Sequence, residues 1–430
     1  MDRRTFFGVG LGAAVLLSSG CSGQAAAPAT SADPNNATLR FTWWGNDTRT
    51  KLTNQAIEAY QKANPGVTIK PEPGEWANYW DKLATQVAAN DAPDIIQMDE
   101  KYIAEYGNRG ALLDLEKAGV KTDRFAKGTV DTGRLPKGLM GINAGVNCPI
   151  LVANPKLFAQ AGVAVPNDKT WTWAEFMALS LELTQKINKS GVYGTGNLFG
   201  QDGMFKAYTR QLGGQQWTAD GKIGWENAHM EKFFQMMMDM QKVKSIQSPS
   251  ELAEEDSKSL DQSAMATGKV AMTFLWSNQV KAMDAASGVD MLLLRPPSDD
   301  GGADKWLWYK ASMYWSASAR GKNTAAAAKF IDWLANSTDA AKILTAERGL
   351  PANLDARAAI EGSLPASDKK VAGFLAAIEG EVADAGGITP VGGSTFQAIM
   401  ARKYQDILFN RASIKDAVAA LRTEVQGGLK

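Results

Sequence analysis

His229 is the single histidine of the chain, and Cys21 and Cys148 are its two cysteines, against thirteen tryptophans. One histidine cannot build a multi-histidine zinc centre, and two cysteines cannot build a thiolate cluster. Histidine-based acid–base chemistry would rest on one residue, and His229 beside a methionine-rich stretch reads as structural. Cys148 has no basic neighbour in sequence to lower its pKa, so it reads as a buried small hydrophobe. Gly213-Gly214 and Gly301-Gly302 lack the Lys-Ser/Thr that completes a phosphate loop, and they read as turns. No metal and no cofactor is expected. The inventory is poor in nucleophile–base pairs and rich in flat aromatic surface.

Those rings need elements to hold them. The chain has 430 residues, 45% hydrophobic and 21% charged, enough for two or three domains with sizeable cores. Its 46 basic and 46 acidic side chains cancel, which argues against a generally cationic nucleic-acid binder. Thr38–Trp43 alternates as a strand. Residues 49–63 carry helical spacing and stop at Asn64-Pro-Gly66. Val67–Pro71 reads as a strand, 77–90 as a helix and 92–99 as a buried strand. This order predicts a mostly parallel sheet with helices on its faces. Ligands of such sheets sit beyond the carboxyl ends of the strands, where Trp43–Asp47 and Gln97–Asp99 fall together. Further on, Thr172-Trp-Ala-Glu175 fits a capping box opening a helix to about Ile187. Residues 228–243 form a helix whose methionines are assigned to core. Lys269–Trp276 is a strand, 323–335 and 338–347 are helices, and 396–425 is helical with a break near Asn410.

Met1-Asp-Arg-Arg4, the apolar run Phe6–Leu17 and the small residues before Cys21 read as an export signal, too short to span a membrane. The arginine pair resembles a twin-arginine signal. Leu17-Ser-Ser-Gly-Cys21 resembles a lipobox with its aliphatic residue displaced by one place. Residues 1–20 are thus expected to be removed, Cys21 to be lipidated, and 21–37 to be a flexible tether. The mature chain would carry one net negative charge and no internal disulfide.

These landmarks together resemble the family of extracellular carbohydrate-binding proteins of bacterial ABC importers, the maltose-binding-protein-like family 1. The resemblance is carried, in family order, by Phe41-Thr-Trp-Trp-Gly45, Tyr60–Val67, Leu83-Ala-Thr-Gln, Ala92-Pro-Asp-Ile-Ile96, Tyr106–Leu115, Thr170–Phe176, Gly268–Met272, Ala326–Leu334 and Arg348-Gly-Leu-Pro351. Ala153-Asn-Pro155 departs from it, since the family usually has Tyr-Asn before an acidic or polar residue. It implies an α/β fold of two lobes, each a mostly parallel sheet flanked by helices, hinged over a cleft. One lobe would be 38–147 plus 291–348, the other 148–290 plus 349–430. It also implies a protein that catalyses nothing, captures an oligosaccharide and delivers it to permease subunits. Such a protein would be anchored through Cys21 on the outer face of the cytoplasmic membrane.

A sugar stacks its C–H faces on aromatic rings and pairs its hydroxyls with polar side chains. Trp276 at a strand end is the first candidate platform, with Asn278 as hydroxyl partner. Trp43 and Trp44 point to opposite faces, so one packs and the other faces the cleft, followed by Asn46 and Asp47. Asp99 is a hydroxyl acceptor or a helix cap. Trp76, Asn147 near the first crossover, Trp315, Arg348, Phe396 and Gln397 complete the set. A secreted glycoside hydrolase is the rival reading, with acids such as Glu75, Asp99 or Glu347 placed near aromatics. A third reading is a binding protein for acidic oligouronides, using Arg348 with Lys310 or Arg109.

Overall fold

A computed structural model describes residues 33–299 and 306–430. The export signal, Cys21, most of the tether and Gly301-Gly302 lie outside the described residues.

The N-terminal stretch alternates strand and helix as its patterning predicts: β1 Ala37–Trp44, α1 Asp47–Ala63, β2 Val67–Gly74, α2 Trp76–Ala88, β3 Ile95–Met98 and α3 Glu100–Asn108. Asn46 caps α1 by accepting from the Arg49 amide, satisfying one donor that the first turn cannot. After a short hairpin, β4 Arg134–Leu135 and β5 Gly138–Leu139, come β6 Ile142–Asn147 and β7 Pro149–Ala153. Then follow α4 Pro155–Ala161, α5 Trp173–Ile187, β8 Tyr193–Thr195, α6 Asp202–Gln211, α7 Asn227–Lys242, α8 Pro249–Glu255 and β9 Val270–Trp276. The Thr172/Glu175 capping box is present at α5, each side chain bonded to the other residue's amide. Next are α9 Val280–Ser287, β10 Leu292–Leu294, β11 Leu307–Trp308, β12 Lys310–Ala317, α10 Thr324–Asn336 and α11 Thr338–Leu344. The chain finishes with α12 Leu354–Glu361, α13 Ala366–Ala377, β13 Val382–Ala383, α14 Phe396–Leu408 and α15 Ile414–Gly428. The break between the last two helices centres on Asn410, whose positive φ of 54° is a left-handed conformation that asparagine tolerates.

Two main sheets result, in strand orders β2-β1-β3-β12-β6 and β10-β7-β9-β8. Both are mixed rather than mostly parallel. β1 runs parallel to β2 and β3, where the α1 and α2 connections impose it, but β12 is antiparallel to both β3 and β6. In the second sheet only β8–β9 is parallel. Strands that enter a sheet from the other one have no βαβ crossover to fix their direction. Leu292–Leu294 pairs with β7, so the return to the first sheet falls after Leu294.

The first passage between sheets is abrupt. Asn147 pairs with Lys310 in one sheet, Pro149 pairs with Trp276 in the other, and Cys148 alone separates them. Cys148 donates its amide to Ser277 Oγ, and its carbonyl accepts from the Ser277 amide. Apolar clusters cover both faces of each sheet. Phe41, Trp43, Phe330 and Trp315 lie in one, Trp44, Tyr79, Trp80 and Met98 in another. The methionine stripe of α7 is core, with Met230, Met237 and Met240 packed among Phe233, Phe234 and Trp225.

Candidate functional site

A cavity of about 660 Å³ opens between elements of the two sheets, a size suited to a small organic ligand. Its walls come from the start of α3, the segment 126–132, the first turns of α6, the end of β9, residues 308–314 and the segment 379–388. Trp276 and Trp308 stand edge to face, with ring centroids 6.1 Å apart. Gly203 makes room for the Trp276 ring, since a Cβ there would lie 2.6 Å from it. An ammonium accompanies each indole. Lys310 Nζ is 5.5 Å from the Trp276 ring centre, and Lys206 Nζ is 4.7 Å from that of Trp308.

Charges in the cavity are largely neutralised by one another. Lys101 contacts Asp202 at 3.0 Å and donates to Gln397 Oε1. Burial opposes its charge, but Asp202, Asp99 and Glu100 outweigh that and hold the ammonium above its ordinary range. Lys310 lies 3.6 Å from Asp99. Glu100 accepts from both the amide and the hydroxyl of Thr389, each at 2.9 Å. Among the described residues, Lys206 has no such acceptor. Burial pulls its pKa down to about 8, a loss that Glu100 and Asp202 soften and that Arg210 and Lys310 deepen.

Of the residues expected at the site, Trp276 lines this cavity. Asn278 and Asn147 bond to each other at 3.0 Å beside the crossing, leaving Asn147 Oδ1 unmet. Trp43 is fully buried, and Trp44, on the opposite face, is covered too, because Trp76, Tyr79 and Trp80 close over it. Neither ring faces the cavity. Asn46 is the exposed cap of α1, and Asp99 caps α3 by accepting from the Lys101 amide. Trp76 is 43% exposed on the outer side of the Trp44 cluster. Arg348 and Trp315 are both core: the guanidinium lies 4.8 Å over the Trp315 ring and donates to Gln97 Oε1 and Thr53 Oγ1. Phe396 is buried against Phe205 and Trp217, and Gln397 serves Lys101. Trp308, Lys310 and Tyr314 were within reach of sequence reasoning, because they share the period-two parity of their segment. Lys206, Gln216 and the segment 379–388 carry no pattern that separates them from solvated surface.

Two mixed sheets with an aromatic-floored cavity between them define a two-lobed α/β binding protein. The chain belongs to the family of bacterial extracellular solute-binding proteins, whose match covers residues 45–341. It is similar in fold to a periplasmic oligogalacturonide-binding protein from Yersinia enterocolitica in complex with saturated digalacturonic acid. That likeness has a TM-score of 0.79 at 20% identity and covers 91% of this chain and 98% of the other. A Listeria monocytogenes ABC substrate-binding protein in complex with cycloalternan gives a TM-score of 0.77 at 18% identity, over 92% of this chain and all of the other. A Streptomyces antibioticus lipoprotein encoded in the oleD 5′ region is 28% identical over 188 residues, which is 42% of this chain and 40% of that protein.

Proposed function

We propose that this protein is the binding component of an ABC sugar importer, holding a neutral oligosaccharide in the cavity and releasing it unchanged to permease subunits. The observation that carries this reading is the half-buried indole of Trp276, backed edge to face by the buried Trp308, in a cavity rimmed by polar groups. Indoles supply the apolar stacking that sugar C–H faces need, and the rim supplies hydroxyl partners. Similar folds that hold cycloalternan and digalacturonic acid support a carbohydrate ligand. A neutral one fits better, because Lys101 and Lys310 already have Asp202 and Asp99 beside them. Hydrolysis is a weaker reading, since Glu100 and Asp202 are likewise occupied by Thr389 and Lys101.

The lobes would be those the sequence resemblance divides, with the boundary near 291 moved past Leu294. Closure over a sugar touching both would be a population shift driven by differential affinity. We further infer export, removal of residues 1–20 and a lipid anchor at Cys21, which the S. antibioticus lipoprotein relative supports.

Thermal shift with maltooligosaccharides, cellooligosaccharides and digalacturonate tests the reading. A ligand at a hundred times its Kd should add about 2.7 kcal/mol of stability. Trp276→Ala should abolish the shift produced by the sugar that binds. No shift with any sugar would overturn the proposal, and an unchanged shift in the variant would remove Trp276 from the site.

A further inference from the structure

A second, smaller cavity of about 230 Å³ adjoins the first, and Lys206, Gln216, Asp384, Gly386 and Gly387 line both. The remaining wall is Arg210 with the segment 213–217. This side chamber is built by close backbone approach. A Cβ on Gly387 would lie 2.6 Å from the Thr218 carbonyl oxygen, and Gly386 has φ +73°, so side chains are kept out of the passage.

Of the three polar side chains at the passage, Asp384 accepts from the Gly386 amide, whereas Lys206 and Gln216 have no hydrogen bond or ion pair among the described residues. Gln216 is only 7% exposed, yet its side-chain amide meets no donor or acceptor among the described residues, and it lines both cavities. Lys206, from α6, presents an ammonium to the same passage with only the Trp308 ring beneath it. Every other interior cation of the main cavity has an acid at hand, as Lys101 and Lys310 do. Arg210, behind them, gives one nitrogen to the Asp384 carbonyl and leaves Nη1 unmatched. The passage therefore offers donors from Lys206 and Gln216 and acceptors in the Gln216 amide oxygen and the Asp384 carboxylate.

We propose that Lys206 and Gln216 form a subsite in which a single sugar unit of the ligand is held by its hydroxyls, with its substituent entering the side chamber. The proposal rests on the sugar-binding reading above and adds which residues select the unit. A ring carrying adjacent hydroxyls offers acceptors to the ammonium and to the amide nitrogen, and a donor to the amide oxygen. A carboxylate could use Lys206 but would be repelled by the Asp384 carboxylate lining the same passage, so the lining favours hydroxyls.

Lys206→Met and Gln216→Ala test this by calorimetric titration with the neutral oligosaccharide that the wild type binds, and with digalacturonate. Lys206→Met removes a charge that burial already disfavours and keeps the length of the side chain, so the fold should persist. The ligand-free melting temperature of each variant checks that. The expected result is a Kd for the neutral sugar raised roughly tenfold or more in each variant, with the two losses less than additive because both residues grip one unit. Wild-type affinity in both variants, alongside lost binding in Trp276→Ala, would overturn the subsite while leaving the sugar reading intact. Loss confined to digalacturonate would overturn the hydroxyl assignment. Failure of the wild type to bind any sugar would overturn the reading on which the subsite rests.

Discussion

At the scale of the residue, an orphan cation leaves a measurable trace even without ligand. The Lys206 ammonium titrates near pH 8 in the folded protein because burial disfavours the charge, whereas an unfolded lysine titrates near 10.4. Between those values the unfolded chain binds more protons, so this group's penalty on folding is full below pH 8 and is relieved as the pH rises through the window. Lys206→Met should therefore be more stable than the wild type at pH 7, and the gap should close by about pH 10. Paired urea denaturation of the two proteins at both values checks it, and a gap independent of pH would contradict the buried charge. Legibility at this scale follows the range of the contacts. Trp276 could be found from sequence because the end of an apolar strand marks it locally. Arg348 could not be sorted, because Gln97, Thr53 and Trp315, which turn it into core, lie far off in the chain. Burial also lowers its guanidinium pKa from the ordinary value, although Glu347 opposes this.

Among the elements, α3 does the most to join what the proposed lobes would separate. Its first turn follows β3 of one sheet, yet Glu100 bonds to Thr389, Lys101 reaches Asp202 and Gln397, and Glu105 accepts from the Gly392 amide and the Ser394 hydroxyl. Bridging the proposed lobes, these contacts would weight the protein toward closure. Glu100→Ala with Glu105→Ala should increase the ligand-free radius of gyration in small-angle scattering. The apparent Kd should rise roughly fivefold, since about 1 kcal/mol of closing energy is lost. An unchanged radius and an unchanged Kd would mean that the α3 contacts do not set the closing equilibrium. Helices such as α1 and α5 were legible from their stop and cap residues, and so was the break at Asn410. Strand direction was not, because it depends on which sheet a strand joins after a long excursion, as β12 does between β3 and β6.

For the whole molecule, α/β character was readable from the alternating elements, while the interrupted sheets were available only through resemblance. The cavity draws on segments nearly three hundred residues apart, so no local pattern could assemble it. The narrowest point in that arrangement is Cys148, the free thiol among the described residues, between the last residue of β6 and the first of β7. Burial pushes its pKa up to about 12, so the sulfur stays protonated, sheltered and slow to react. A thiol at that junction is a built-in clock for opening. Its rate of alkylation by a maleimide should count the moments when the two halves part, and a bound sugar should slow the count. Equal rates with and without sugar would mean that the junction stays shut while ligand comes and goes.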